Sequence, residues 1–297
     1  PLTEVFTGQN GDKFSYVNNT LAALVVAELF QRLMLKKRWL TVSWPTLLIV
    51  MVAVVGCTYL LQFRNGNVGL LLLMSFAAFM VLVRLARHWS IWKTTTVAAA
   101  VMTGLVALGL LLYQSDARWQ SFAETAAVAL DTTTHQKWRL RNEPYPLLKN
   151  GQPVDASAYE RLAWGKEGLK LVADHPLGTG FNRNAFGDGI DAKYQMNGTY
   201  RGGHAHSGLI DFAIANGLPG LVLWLIFLGM LFYTGWAAFA QGHIAPALAL
   251  MFIVSGFFSR SIVDSNIRDH MLQQFMFLSI FFAVALNTAG KMGGADD

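Results

Sequence analysis

The stretch LIDFAIANGLPGLVLWLIFLGMLFYTGWAA, residues 209–238, decides the fold class of this chain. It is almost entirely apolar, and it exceeds the length of about 20 residues that a helix needs to cross the hydrocarbon core of a bilayer. The sequence Asn-Gly-Leu-Pro-Gly at 216–220 interrupts it, so a short re-entrant or interfacial piece is expected before the span proper. We therefore predict a transmembrane helix here and interpret the rest of the chain outward from it.

Six further stretches have comparable length and apolarity. The predicted spans are 17–35, 44–63, 67–83, 95–113, 209–238, 244–262 and 271–288. The first is interrupted by Glu28, Gln31 and Arg32 and is the weakest of the set. The predicted fold class is therefore all-α: a polytopic integral membrane protein with about seven transmembrane helices and one large polar loop.

The composition supports this interpretation. Hydrophobic residues make up 54% of the 297 residues and charged residues only 14%, whereas an average soluble domain has about 25% charged residues. These values disfavour a soluble protein, a disordered chain and a nucleic-acid-binding protein. Cys57 is the only cysteine, so the chain has no disulfide framework and no cysteine-built metal site.

About half of the charged residues lie in one polar insertion. Residues 114–206 hold 11 basic and 10 acidic residues, out of 23 and 18 in the whole chain. We therefore predict three segments: membrane spans at 1–113, a periplasmic helical loop or cap at 114–208, and membrane spans at 209–297.

Helical spacing within the insertion predicts two amphipathic helices. Leu162, Leu169, Val172 and Ala173 recur over 161–173, so a helix lying at the membrane surface is expected there. A second, shorter helix is expected over 119–130, whereas 142–151 is rich in proline, glycine and asparagine and indicates a loop. The insertion is expected to form a small helical cap on the membrane domain rather than a separately folded domain.

The positive-inside rule orients the spans. Basic residues at 36–38 and 84–93 lie in two connecting loops, which places both loops in the cytoplasm together with the C-terminus. The insertion and the turns at 63–67 and 260–270 then lie outside, which in a bacterium is the periplasm.

Three basic residues lie at outer ends of spans, where orientation does not require them: Arg64, Arg260 and Arg268. Any one of them can be explained by contact with outer-leaflet headgroups. Their presence on the face that carries the insertion also fits a shared anionic ligand, and both interpretations stay open at this point.

The insertion offers a candidate base and a candidate anion-binding residue. His206 lies just before the fifth span, where an uncharged imidazole can act as a general base; a structural hydrogen bond at the helix start explains it equally well. His204 and His206 have no carboxylate or cysteine spaced to complete a metal site, so no metal is expected. Arg161 suits a phosphate ligand because its guanidinium donates bidentate hydrogen bonds and stays charged.

Six residues are weaker candidates for substrate binding: Arg139, Arg141, Arg260, Asp264, Arg268 and His204. Arg139 and Arg141 are more simply explained as part of a solvated loop, and Asp264 with Arg268 as an ion pair that ties two spans together. The chain contains no Walker-A loop, no GxGxxG after a strand and no GxSxG elbow, so nucleotide-driven chemistry is not expected.

Three stretches, taken in order, resemble the O-antigen ligase and polymerase superfamily. Gln62–Gly66 is similar to the start of a span in that superfamily. Arg161 and Trp164, followed by the Asp-His-Pro-Leu-Gly-Thr-Gly sequence at 174–180, resemble its Arg…Trp…Asn/Asp-x-Pro-x-Gly-x-Gly segment. His206-Ser-Gly-Leu with the Gly-Leu-Pro-Gly sequence at 217–220 resembles its His-Asn-x-x-Leu…Gly-x-x-Gly segment.

The resemblance covers roughly 44–288 and departs from the family pattern at two positions. Ser207 stands where asparagine is usual, and Phe63 stands where a small hydroxyl residue is usual. The family has about a dozen spans, so roughly five would precede Pro1; an odd number places the original N-terminus inside.

The resemblance implies a GT-C-like membrane glycosyltransferase, specifically an O-antigen ligase. Its donor would be an O-antigen polysaccharide on undecaprenyl pyrophosphate, and its acceptor a hydroxyl of the lipid A–core oligosaccharide. His206 would be the base, Arg64 and Arg161 would bind the pyrophosphate, and no cofactor is expected. An O-antigen polymerase, a protein-directed oligosaccharide transferase and, from another class, a transporter or flippase of an anionic lipid-linked substrate remain as alternatives.

Overall fold

The computed structural model describes residues 11–61, 64–86, 89–115, 119, 121–198, 200, 202–268 and 270–293. The described residues form ten helices and no extended strand, which confirms the predicted all-α fold. The helices are α1 (Gly11–Leu35), α2 (Trp44–Leu61), α3 (Arg64–Ala86), α4 (Ile91–Ser115), α5 (Phe122–Ala129), α6 (Ala156–Asp174), α7 (Ala185–Tyr194), α8 (Gly208–Ala240), α9 (Ile244–Val263) and α10 (His270–Gly293).

Each predicted span falls on one of these helices. By length and composition, four stretches among the described residues can cross a membrane: Ile91–Leu111, Gly208–Ala240, Ile244–Val263 and His270–Asn287. Helices α2 and α3 contain shorter apolar stretches, Trp44–Cys57 and Leu71–Arg84. The chain is therefore a polytopic membrane protein, and the total of seven spans stays a prediction.

Glu28 and Arg32, which interrupt the first predicted span, find hydrogen-bond partners within α1 and in the loop that follows it. Arg32 Nε donates to Glu28 Oε1 at 2.5 Å, and the two side chains are only 2% and 0% exposed. Glu28 Oε2 also accepts from the backbone N–H groups of Trp39 and Leu40. A buried ion pair is tolerated when its remaining hydrogen-bonding groups find partners in this way.

The chain divides into two compact units. The first comprises Pro1–Val106, Phe227–Arg260 and Asp269–Asp297. Its helices pack through aromatic side chains: the rings of Phe257 and Phe275 are stacked with centroids 4.0 Å apart. Pairs of this kind add to the stability that area burial alone provides.

The second unit comprises Ala107–Ile226 and Ser261–Arg268. Its core contains the fully buried side chains of Tyr159, Leu171, Phe186, Ile190 and Ile214. These residues come from α6, α7 and the first turns of α8, so the three helices share one apolar core. The predicted division at 113/114 and 208/209 stays a prediction.

Helix α6 extends the helix that was predicted over 161–173, and its buried face matches the predicted stripe only in part: Val172 is buried and Leu162 packs against the core. Leu169, predicted on the apolar stripe, is 60% exposed, and Ala173 is exposed as well. The buried line instead runs through Tyr159, Ala163 and Glu167. The prediction was wrong at Leu169 and Ala173 because it counted only apolar residues, whereas Glu167 is buried with Tyr194 Oη and Lys170 Nζ each donating to it at 2.6 Å.

A break in α8 receives the turn that follows α6. Gly217 has φ 71° and ψ 176°, a conformation that favours glycine and interrupts the helix just before its Pro219. Thr179 N–H donates to the Ile214 carbonyl at 2.8 Å, and Gly180 N–H donates to the Ala215 carbonyl at 3.1 Å. The glycine- and proline-rich sequence at 174–180 therefore packs against α8 beside its own glycine- and proline-rich sequence at 217–220, where Leu218 N–H donates to the Pro176 carbonyl.

Candidate active site

The segment 204–206 leads into α8 and places two imidazoles side by side. His206 has φ 54°, a left-handed conformation that costs a residue with a β-carbon free energy. Its N–H donates to Nδ1 of His204 at 3.3 Å, and the two rings meet edge to face with centroids 4.2 Å apart. The backbone turn thus brings both rings to one place.

Trp164 fixes the plane of the His206 ring. The indole and the imidazole are stacked, with centroids 5.1 Å apart and planes 3° from parallel. Trp164 Nε1 donates to the carbonyl of Trp138 at 2.8 Å, which holds the indole itself. Helix α6 therefore supplies a rigid platform on which the imidazole of His206 rests.

Asp211 anchors the histidine segment from the first turn of α8. Its Oδ1 accepts from Ala205 N–H at 2.8 Å, and its Oδ2 accepts from Ser265 Oγ at 2.5 Å. The carboxylate is 7% exposed, so these hydrogen bonds form away from bulk water. The contacts tie the residue between the two histidines to the loop that follows α9.

Ser207 caps the start of α8. Its Oγ accepts from Ile210 N–H at 3.5 Å and donates to the carbonyl of Ser261 at 3.1 Å. A serine at this position satisfies one of the free N–H groups of a helix N-terminus, as asparagine also does. The departure from the family pattern therefore keeps the capping function.

The electrostatic environment keeps His206 uncharged. Burial, followed by the proximity of His204 and Arg161, lowers the pKa of His206 from 6.5 to about 3. Burial also lowers the pKa of His204, although Asp211 opposes this. Nδ1 of His206 is buried and makes no hydrogen bond among the described residues. The site thus holds a neutral imidazole whose buried Nδ1 lacks a hydrogen-bond partner in this part of the structure, within the electrostatic influence of Arg161.

The loop after α9 brings two further predicted residues to this site. Arg268 donates from Nη2 to the carbonyl of Gly203, the residue before His204. The backbone carbonyl of Asp264 accepts from Gly208 N–H at 2.9 Å, and the side chain of Asp264 is buried. Arg161, His204, His206, Asp264 and Arg268 therefore belong to one compact unit.

The other predicted residues have different surroundings. The guanidinium of Arg139 lies 4.5 Å from the ring centroid of Tyr194 and donates to Gln136 Oε1 at 2.7 Å. The side chain of Arg141 is exposed. Arg260 is buried in the last turn of α9, in the first unit. Arg64 is the first residue of α3, and its side chain lies outside the described part of the structure.

Asp211 and Trp164 were not predicted as site residues. Asp211 could have been noticed as a charged residue at the head of an apolar span, a position that indicates function by default. Trp164 lies three residues after Arg161 and hence on the same face of a helix. Among the described residues, no group of three or more histidine, cysteine or acidic side chains is arranged to hold a metal ion.

Comparison with known proteins identifies the family. No curated protein matches the chain at a significant level. The family model described as O-antigen ligase matches residues 49–225, which include Arg64, Arg161, Trp164, both histidines and Asp211. Because this match spans more than half of the sequence, the chain belongs to the O-antigen ligase family.

Proposed function

We propose that this protein is an O-antigen ligase of the bacterial inner membrane. It transfers an O-antigen polysaccharide from undecaprenyl pyrophosphate to a hydroxyl of lipid A–core oligosaccharide, at a site on the periplasmic face. The family match supports a function of the ligase or polymerase type. The observation that carries the proposal is the neutral imidazole of His206, positioned by Trp164 and adjacent to the charge of Arg161.

In the proposed reaction His206 acts as the general base. The acceptor hydroxyl attacks the anomeric carbon of the donor, and its proton passes to the imidazole. A new bond forms between the acceptor oxygen and the anomeric carbon, while the bond from that carbon to the pyrophosphate oxygen breaks. The electron pair leaves with the pyrophosphate, so a single displacement inverts the anomeric configuration.

Arg161 and Arg64 are proposed to bind the leaving pyrophosphate. Its negative charge grows as the glycosidic bond breaks, and a guanidinium that is already in position stabilises that charge without reorganisation. Because the donor is activated by its own pyrophosphate, the reaction needs neither ATP nor a metal ion. Arg268 and Asp264 are proposed as supporting residues, with Arg139, Arg141, Arg260 and His204 as weaker contributors to substrate binding.

Binding of the donor opposes part of the lowering of the His206 pKa. A pKa of about 3 makes the imidazole a weak base at neutral pH. Part of that lowering comes from Arg161. A pyrophosphate beside Arg161 offsets its positive charge, which raises the proton affinity of His206 when the acceptor is ready to react.

The polymerase of the same superfamily is the nearest alternative, because it uses the same donor and differs in its acceptor. A protein-directed oligosaccharide transferase differs in the same way. A transporter usually places its polar groups near the middle of the membrane, whereas five of the candidate residues here (Arg161, His204, His206, Asp264 and Arg268) belong to the unit that contains the segment before α8. Labelling of Arg64→Cys from both sides of the membrane tests transport, since alternating exposure would favour it.

The decisive experiment is transfer by the purified protein. Lipid-linked O-antigen is incubated with either lipid A–core or lipid-linked repeat units, with EDTA present and nucleotide absent. A ligase joins one long chain to the core, whereas a polymerase joins repeats to repeats. Loss of transfer in EDTA would contradict the metal-independent mechanism.

A further inference from the structure

A cleft in the second unit is lined by neither His204 nor His206 and has no role in the proposed reaction. It has a volume of about 480 Å³, within the range of roughly 300–1,000 Å³ that is common for small-molecule sites. It opens between the C-terminal end of α6 and helix α7, and the turn that joins these two helices closes one side.

The cleft combines an apolar floor with a polar rim. Leu171 on the floor is 1% exposed. On the rim, Asp174 pairs with Lys193 at 2.7 Å, and Asp188 accepts a hydrogen bond from Asn182. The rim thus offers both hydrogen-bond acceptors and donors around an apolar surface. A sugar ring fits such a cleft, because its C–H face can lie on the apolar floor while its hydroxyl groups bond to the rim.

Two other ligand classes fit this rim poorly. A phosphate would meet two carboxylates and only one lysine, so its charge would be repelled. For a metal ion, the described residues offer no group of three suitable side chains, and Asp174 and Asp188 already have partners. Phe181, which precedes Asn182, is 93% exposed and provides an aromatic ring on which a sugar can stack.

The cleft is connected to the candidate site through the start of α7. A β-carbon added to Gly187 would lie 2.5 Å from the carbonyl oxygen of Gly202, so α7 packs directly against the segment that leads to His204. Asn184 Oδ1 lies 3.7 Å from the corresponding position at Gly203. Helix α7 therefore lines the cleft and also contacts the segment that leads to His204.

We propose that this cleft binds an uncharged segment of glycan several sugars away from the bond that reacts. The proposal rests on the proposed glycosyl transfer. It assigns binding to Asp188, Asn182 and the apolar floor, and it places Phe181 as a stacking residue at the edge. The glycan comes either from the donor polysaccharide or from the core acceptor, since both present the same chemistry.

Binding without turnover tests the proposal. The probes are the O-polysaccharide of the source strain, released from its lipid by mild acid, and the delipidated core oligosaccharide. Calorimetry with the full chain in detergent compares wild type with Asp188→Ala and with Ala192→Trp, which fills the cleft from an exposed helical position. Glu143→Ala and Ala123→Trp are the matched controls, because both residues are exposed and neither lines the cleft.

We expect both cleft variants to weaken binding of one probe by about tenfold or more while the controls bind normally. The probe that is affected identifies the donor or the acceptor as the source. Unchanged binding of both probes in both variants would overturn the proposal. Because the measurement is of binding and needs no turnover, a failed catalytic assignment is separable from a failed cleft assignment.

Discussion

At the scale of single residues, the site depends on how one imidazole is held. His206 adopts a left-handed backbone conformation, its ring face rests on Trp164, and its ring edge meets His204. Strain of this kind persists only where the surroundings over-determine it. Here the hydrogen bond from Ala205 N–H to Asp211 supplies that constraint from within the same turn.

Trp164 is expected to act as a positioning residue. Trp164→Ala removes the surface on which the imidazole is stacked, and a misplacement of about 1 Å can cost about 10²-fold in rate. We therefore expect kcat to fall by about 10²-fold with KM nearly unchanged, and Trp164→Phe to recover part of the loss. Steady-state transfer kinetics measure both parameters, and a change confined to KM would contradict a positioning role.

The low pKa of His206 predicts a pH dependence of stability. The unfolded chain binds a proton at this imidazole near pH 6.5, whereas the folded chain does so only near pH 3. The stability contribution is therefore complete above pH 6.5 and is lost as the pH falls toward 3, by up to about 1.4 kcal/mol per pH unit.

Thermal unfolding in detergent at pH 7.5 and 5.5 measures this effect. His206→Gln cannot be protonated, so its midpoint should fall less between the two pH values than that of the wild type. Equal decreases in the two proteins would show that His206 keeps an ordinary pKa.

Part of the site could be predicted at this scale. His206 and Arg161 were predicted because their residue types suit base and anion-binding chemistry and because they fall within recognisable motifs, and their roles stay predictions. The stack joins His206 to Trp164, which lies 42 residues earlier in the chain. The anchoring hydrogen bond joins Ala205 to Asp211, 6 residues later. Sequence spacing does not report contacts of that kind.

At the scale of elements, helix α6 contributes most to the candidate site. It carries Arg161 and Trp164, and its face at Gly168 packs against the histidine segment. A β-carbon added to Gly168 would lie 2.6 Å from Ile210 Cγ2 and 3.0 Å from Ala205 Cβ. A small residue is therefore required where α6 passes the segment that carries the two histidines.

A matched pair of glycine substitutions tests this packing. Gly168→Ala should cost about 1–3 kcal/mol by overpacking and should lower the transfer rate, because it displaces Ala205. Gly165→Ala in the same helix has nothing within 4 Å, so it should be neutral or stabilising by up to about 1 kcal/mol. The unfolding midpoints and the transfer rates of both variants measure these effects. Similar effects of the two substitutions would contradict the packing argument.

The sequence predicts the elements better than their faces. Every predicted span and both insertion helices lie on observed helices, because long apolar runs and helical periodicity are strong signals. The buried face of α6 was predicted only in part, because burial of Glu167 depends on Tyr194, which lies 27 residues later in the chain. Such tertiary partners override local hydrophobicity.

At the scale of the whole molecule, the second unit combines two distant stretches of sequence. The short stretch Ser261–Arg268 belongs with Ala107–Ile226, and its Ser265 and Arg268 contact the histidine region. The sequence indicated that the turn at 260–270 and the insertion share one side of the membrane. Their direct contact depends on folding and could not be predicted from composition.

The predicted sidedness can be tested with single cysteines. In a Cys57→Ala background, Glu143→Cys and Lys37→Cys each place one exposed thiol in a loop. An impermeant maleimide should label Glu143→Cys in cells with a permeabilised outer membrane, and Lys37→Cys only after the inner membrane is opened. The reverse pattern would invert the topology that the positive-inside rule predicts.

The central claim is that His206 and Arg161 carry out glycosyl transfer from a lipid-linked pyrophosphate donor, and the transfer rate of purified variants tests it most directly. We expect His206→Ala to lose about 10²–10⁴-fold and Arg161→Ala about 10²–10³-fold. Lys149→Ala, which removes an exposed cation from a loop, is the matched control and should transfer at the wild-type rate. Wild-type rates in His206→Ala or Arg161→Ala would contradict the account.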